Sequence, residues 1–308
     1  MRVENKIMRL STPIVLFFTA ASLMAQQVLP DSAPAATFRT DTRLVVLNVS
    51  VIGPDGNIVN NLPKSAFSVF ENNETQQISV FRQEDVPVSM GLIIDNSASM
   101  KEKRDRVAGA ALALIKASNP QDEVFIINFN EEPTLVQDFT SSLRQLETSL
   151  NKIQSSGETA MRDAVRMGIE HLRAKGRKDK KVLLVITDGD DNSSIETLSH
   201  VVQVAHQADV IVYGIGLLGG EQPAAAERAK KALDTLTMAT GGRAWFPAQV
   251  AEVSRITPEI AHEIRNQYIV GYTPTNLAAD GSFRKVRVEV NYPNVQVRTR
   301  AGYYAPRD

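Results

Sequence analysis

Four runs in this chain are apolar without polar alternation: Ser89–Asp95 (SMGLIID), Glu123–Phe129 (EVFIINF), Lys180–Asp188 (KKVLLVITD) and Asp209–Leu217 (DVIVYGIGL). Strands read this way when both of their faces are buried, as in a parallel sheet covered by helices. Helical spacing fills the intervals. Val107, Ala110, Ala111, Leu114 and Ile115 recur on one face, Leu143, Leu146, Leu150 and Ile153 mark a second helix, and Ala251 to Arg265 a third. TLVQDF (Thr134–Phe139) adds a shorter strand. Strand and helix in alternation imply right-handed crossovers and a doubly wound, mainly parallel central α/β sheet over residues 87–265.

The flanks obey a different period. From Thr42, TRLVVLNVSVI, then FSVFENNETQQISVF with two short strands around Asn72 and Asn73, predict a β segment over residues 39–86. QYIVGY, SFRKVRVEV and VQVRTRAGYY predict another over residues 266–308. Each is too short to bury a sandwich core alone, so the two are expected to pair as an accessory β-sandwich-like domain. Ahead of them, Arg2, Lys6 and Arg9 precede the apolar stretch Pro13–Met24, the pattern of a secretory signal peptide over residues 1–25. The stretch is too short for a comfortable membrane span; an uncleaved anchor is the alternative. Residues 26–38, with Pro30, Pro34 and three alanines among them, read as a linker.

Cleavage after Ala25 would leave a net charge of −3, from 34 basic and 35 acidic residues in the whole chain, which does not favour nucleic acid. The chain has no cysteine, excluding disulfides, lipoprotein anchoring, thiol catalysis and cysteine-ligated metals. An exported protein of a bacterial periplasm or cell exterior fits these features.

Three polar clusters lie at strand ends or helix entries, where open α/β sheets bind ligands. Asp95, Ser97 and Ser99 are spaced two apart in DNSAS; Asp188 ends the strand in ITDGDD; Thr159 precedes a helix in SSGETAMRDA. Two carboxylates and three hydroxyls, without sulfur or imidazole, suit a hard cation such as Mg²⁺, Ca²⁺ or Mn²⁺ and are poor for Zn²⁺. Two carboxylates only just neutralise a divalent ion, and a remaining coordination position attracts a carboxylate from a partner. Asp and Ser are also ordinary turn and N-cap residues, so a capping role for Asp95–Ser99 is the competing reading. Asp95, at a strand end, is expected to lie outside the core.

At these residues the chain resembles the von Willebrand factor type A domain, whose metal-ion-dependent adhesion site reads D-x-S-x-S, then Thr, then Asp. The resemblance covers about residues 87–265, with Ala98 where a glycine is common. It implies a Rossmann-like fold, direct ligation by Ser97 and Ser99, direct or water-mediated ligation by Asp95 and Asp188, and a Thr159 that changes its coordination when a ligand binds. LPKSAFSVFENNETQQISVF and the C-terminal strands add a likeness to exported bacterial type A domain proteins of the kind found in Acidobacteria.

The expected function is a non-enzymatic adhesion or protein-binding module taking a protein or another carboxylate-bearing ligand. The alternatives are a metal-assisted hydrolase of phosphoesterase type, for which no base or nucleophile is identifiable, and a structural or assembly protein with a vestigial metal site. Three further patterns read as structural. GIGLLG (Gly214–Gly219) follows a late strand, unlike a dinucleotide fingerprint; an aspartyl phosphatase would need an acid where Ser97 stands; and His262-Glu263 lacks the second histidine of H-E-x-x-H, having Asn266 there. His171, His200 and His206 are expected on helix surfaces, Asp190 and Asp191 in solvent, Asp163 serving the first turn of its helix, and Arg173–Lys181 as a solvated loop.

Overall fold

Alternate residues of strand β1 (Val45–Ile52), namely Val45, Leu47, Val49 and Val51, are buried. β2 (Phe67–Glu71), β3 (Glu74–Gln76) and β4 (Ile78–Gln83) follow. β2 and β3 form a two-residue hairpin in which Asn72 and Asn73 take positive φ (48° and 71°), as a turn matched to strand twist requires. The structure, a computed structural model, describes residues 44–151 and 155–307. The expected signal peptide, the linker, residues 39–43 and Ile153 lie outside the described residues.

From Val88 the chain alternates: β5 (Val88–Asp95), α1 (Arg104–Ala117), β6 (Glu123–Phe129), β7 (Pro133–Thr140), α2 (Leu143–Asn151), α3 (Met161–Lys175), β8 (Lys180–Thr187), α4 (Leu198–Ala208), β9 (Val210–Gly216), α5 (Pro223–Thr240), β10 (Ala244–Trp245) and α6 (Val253–Arg265). These strands form one sheet in the order β10-β9-β8-β5-β6-β7, parallel except for the edge strand β7. Every residue of β5, β6 and β9 is buried, which accounts for their unbroken apolar runs. One face carries α1, α2 and α6 over Met90, Leu92, Leu184 and Tyr213; the other carries α3, α4 and α5 over Ile93, Phe125, Val185 and Val212. The sheet is therefore doubly wound, a Rossmann-like α/β fold.

The remaining strands are β11 (Tyr268–Tyr272), β12 (Phe283–Val290), β13 (Gln296–Arg298) and β14 (Gly302–Tyr304). They interleave with the first four in two sheets, β13-β1-β11-β4 and β14-β12-β2-β3. Both sheets contribute to one core, Leu47, Val49, Val270 and Tyr272 from the first meeting Phe67, Val69, Val286 and Val288 from the second. The two flanks thus build the accessory sandwich together. The segment 67–81 holds three strands rather than two, because Gln77 separates β3 from β4 and sends them to different sheets.

A buried polar cluster joins the sandwich to the α/β layers. Glu263 of α6 accepts from Ser50 of β1 (3.3 Å), from Tyr213 of β9 (3.4 Å) and from the Arg298 guanidinium of β13 (2.9 Å). His262 is bonded to Asn266 instead, so this pair has a structural use. The glycines of GIGLLG are structural as well. A Cβ on Gly216 would lie 2.7 Å from the Phe246 ring, and one on Gly214 3.2 Å from Leu233.

The loop before β8 departs from the sequence expectation at Lys180, which is buried with its ammonium hydrogen-bonded to the Ile264 carbonyl. Burial pushes this ammonium down to about 7, with Asp85, Glu263 and Asp122 pulling the other way. The unfolded chain holds the proton to a higher pH than the folded one, so stability rises with pH between the two values and is lost as pH falls toward 7. Denaturant unfolding is expected to show a gain of about 2 kcal/mol from pH 7 to pH 9, absent in Lys180→Met.

Candidate metal site

The first strand of the α/β body, β5, lies at the centre of its sheet, with β6 on one side and β8 on the other. The order in which strands are added to the sheet reverses there, so the loops leaving β5 and β8 diverge to opposite faces and open a crevice at their carboxyl ends. Asp95 ends β5, and Asp188 is the first residue after β8.

Hydrogen bonds connect these ends directly. Asp95 Oδ1 accepts from the Ser97 amide (2.8 Å) and Oδ2 from Thr187 Oγ1 (2.5 Å). Ser97 Oγ lies 3.1 Å from Ser99 Oγ, and Ser99 Oγ donates to Asp188 Oδ1 (2.8 Å). Asp188 Oδ2 takes the Lys103 ammonium (2.5 Å). The third cluster comes in through the backbone. Ala98 N bonds to Gly157 O (3.2 Å), and Thr159 O accepts from Asn192 N and Ser193 N beyond Asp188. A Cβ built on Gly189 would lie 3.8 Å from Thr159 Oγ1 and 3.5 Å from Glu221 Oε1. All five residues singled out in the sequence thus stand at one end of the sheet, and Glu221 and Lys103 join them.

Burial sets the electrostatics. Asp95, Ser97, Thr159 and Asp188 are all buried, so Asp95 does not lie outside the core as its strand-end position suggested. Burial pushes the Asp95 carboxyl up to about 6 and the neighbouring Asp188 adds to this, against the Thr187 and Ser97 hydrogen bonds. Among the described residues, the ion pair these two buried carboxylates show is Lys103 with Asp188, one ammonium for two acids, a deficit of paired charge. That deficit, with the serine hydroxyls between the acids, fits a hard divalent ion held by Asp95, Ser97, Ser99, Thr159 and Asp188. Among the described residues no group of three or more His, Asp or Glu side chains is arranged to hold a metal.

The surrounding loop is stiffer than its composition suggests. Asp191 is not a solvated carboxylate: it accepts from the Arg162 amide (2.8 Å), the Arg162 guanidinium (2.9 Å) and Ser194 Oγ (2.8 Å). Asp163 sits in the first turn of α3, yet its carboxylate receives the amides of Ile195 (3.0 Å) and Glu196 (2.9 Å). These bonds fix residues 191–196 against the start of α3. Of the histidines expected on helix surfaces, His206 is buried and bonded to Ala239 O, and His171 packs between Phe125 and Phe139.

Comparison with known families adds the deciding observation: residues 90–190 match the von Willebrand factor type A domain, a span that contains all five site residues. This chain carries a von Willebrand factor type A domain. Solved structures agree on the fold of the type A domain. A von Willebrand factor type A protein from Catenulispora acidiphila is 13% identical, with a TM-score of 0.51, covering 88% of this chain and 76% of that one. Proximal thread matrix protein 1 from the mussel byssus, in a structure with a zinc-occupied MIDAS motif, is 15% identical, with a TM-score of 0.50. That match covers 63% of this chain and 50% of the byssus protein. The PilB minor pilin from Streptococcus sanguinis is 13% identical (TM-score 0.47), and the match covers 62% of its length. Comparison with curated proteins gives no match.

Proposed function

We propose that this protein is an exported, non-enzymatic binding module whose type A domain captures an acidic group of a protein or another carboxylate-bearing polymer through a divalent cation. The observation that carries this reading is the continuous hydrogen-bonded chain Asp95–Ser97–Ser99–Asp188 at the switch point of the sheet, with two buried carboxylates and a single ammonium. Asp95 and Asp188 would supply the charge that holds the ion, and Ser97, Ser99 and Thr159 neutral oxygens. The bound ion supplies Lewis acidity toward an incoming carboxylate. Mg²⁺ is the expected ion, with Ca²⁺ or Mn²⁺ as alternatives, and the zinc-occupied MIDAS motif of the byssus protein is consistent with a divalent ion in such a site. The N-terminal pattern supports export to the periplasm or beyond, and no helix among the described residues is long and apolar enough to cross a membrane.

Titration calorimetry of the purified chain with Mg²⁺, Mn²⁺ and Ca²⁺ tests the reading. Saturable uptake of one ion is expected, with affinity in the range of roughly 10⁻⁴–10⁻³ M known for extracellular calcium modules. Retention on a polyglutamate surface should then require the ion and be reversed by EDTA. Absence of uptake with all three ions would overturn the site assignment, and retention that persists in EDTA would favour the structural or assembly role.

A further inference from the structure

Asp188 gives each of its carboxylate oxygens to a different partner, Ser99 Oγ on Oδ1 and Lys103 Nζ on Oδ2, and its side chain is wholly shielded from solvent. Ser99 adds no charge, so the ammonium is the counter-ion of this carboxylate. An ammonium and a divalent cation cannot both sit against Oδ2, because like charges at such separations repel strongly wherever water is excluded. Lys103 can leave: its side chain is 23% exposed, and a four-carbon stem lets the head swing into solvent from the start of α1. Lys101, two residues earlier, is exposed, so the basic turn offers two ammoniums of which one reaches the acid.

We propose that Lys103 is a tethered counter-cation that must be displaced from Asp188 before a divalent ion can be held there, so that ion uptake is an exchange of one cation for another. This rests on the metal-dependent reading above and adds a built-in brake to it. The device has two consequences. The site keeps its buried charge partly neutralised when divalent ions are scarce, which protects the fold. It also raises the ion concentration at which the module becomes competent to bind, setting a threshold that the ligand oxygens alone would not set.

Calorimetric titration of the full chain with Mg²⁺ distinguishes the possibilities, using Lys103→Met, Lys103→Gln and, as a control, Lys101→Met. The control removes the same charge from the same turn without touching Asp188. Lys103→Met and Lys103→Gln are expected to bind Mg²⁺ roughly tenfold tighter than the unaltered chain, equivalent to about 1.4 kcal/mol of removed competition, with Lys101→Met within twofold of it. Thermal unfolding gives a second readout. In EDTA the Lys103 variants should melt a few degrees below the unaltered chain, and in saturating Mg²⁺ the difference should vanish, because the displaced ammonium no longer stabilises the loaded chain. Equal affinities for the unaltered chain and Lys103→Met would overturn the exchange, as would an equal gain in Lys101→Met, which would show a general charge effect. If neither the unaltered chain nor any variant takes up Mg²⁺, Mn²⁺ or Ca²⁺, the metal-dependent reading falls and the exchange with it.

Discussion

Replacing Arg284 by methionine is expected to destabilise the protein by about 3–5 kcal/mol, the cost of leaving a buried charge without its partner. Arg284 lies in the sandwich and is only 1% exposed. Its guanidinium donates to Glu71 Oε1 (3.1 Å) and to the carbonyls of Asn276 (3.0 Å) and Ala278 (2.9 Å). Glu71 Oε2 in turn accepts from Tyr272 and Tyr303, each at 2.8 Å. Burial, followed by the Glu71 carboxylate, pushes both phenols well above the ordinary tyrosine range, so they remain donors at any working pH. Removing the guanidinium strands the carboxylate and two carbonyls together. The double variant Glu71→Gln with Arg284→Met should recover part of the loss, since a neutral amide still accepts from a tyrosine and no charge is left unpaired. Equilibrium urea unfolding of the three proteins checks this; equal stabilities of the single and double variants would contradict it.

The second large effect is on ion uptake. Asp188→Asn should weaken Mg²⁺ binding more than ~100-fold, beyond the 10–100-fold that changes to mere partners of metal ligands cause. The asparagine can still take the Ser99 hydroxyl on its carbonyl oxygen, so the loop should hold its shape while losing the charge. Asp95→Asn should weaken uptake similarly. Asp95→Ala is a poorer probe, because Asp95 receives both Thr187 Oγ1 and the Ser97 amide and its truncation leaves two buried donors unpaired. That variant should lose stability together with the ion, and circular dichroism melts run beside the calorimetry would separate the two losses. Unchanged Mg²⁺ affinity in Asp188→Asn would remove this residue from the site.

Much of this was legible in the sequence because the signals were local. The unbroken apolar runs of β5, β8 and β9 and the helical spacing of α1 follow from burial alone, and D-x-S-x-S is contiguous. The parts that were not legible depend on residues far apart in the chain. Lys103 carried no local signal of a site role, and only the fold brings it to an acid 85 residues away. Lys180 read as part of the solvated loop Arg173–Lys181, whereas α6 covers it with the Ile264 carbonyl. Asp163 and Asp191 read as ordinary capping and loop carboxylates, and the contacts that distinguish them span about thirty residues. Helix α5 could have been found, since Pro223 stands at its first turn and Gly241, at φ 87°, closes it; its alanine-rich face carries too little hydrophobic contrast to stand out. The two-residue β10 is too short to leave a pattern.

The interleaving of the sandwich strands dictates an order of folding. β11 lies between β1 and β4, and β12 pairs with β2, so neither sheet can close until the last strands have been synthesised. The α/β body between them has its own cores and can collapse first. During that interval β1 and β4 have open edges and unpaired backbone groups, the species most exposed to aggregation in a growing chain. Pairings of such long sequence separation also close slowly, so refolding should show a fast phase from the helices and a slower one from the sandwich.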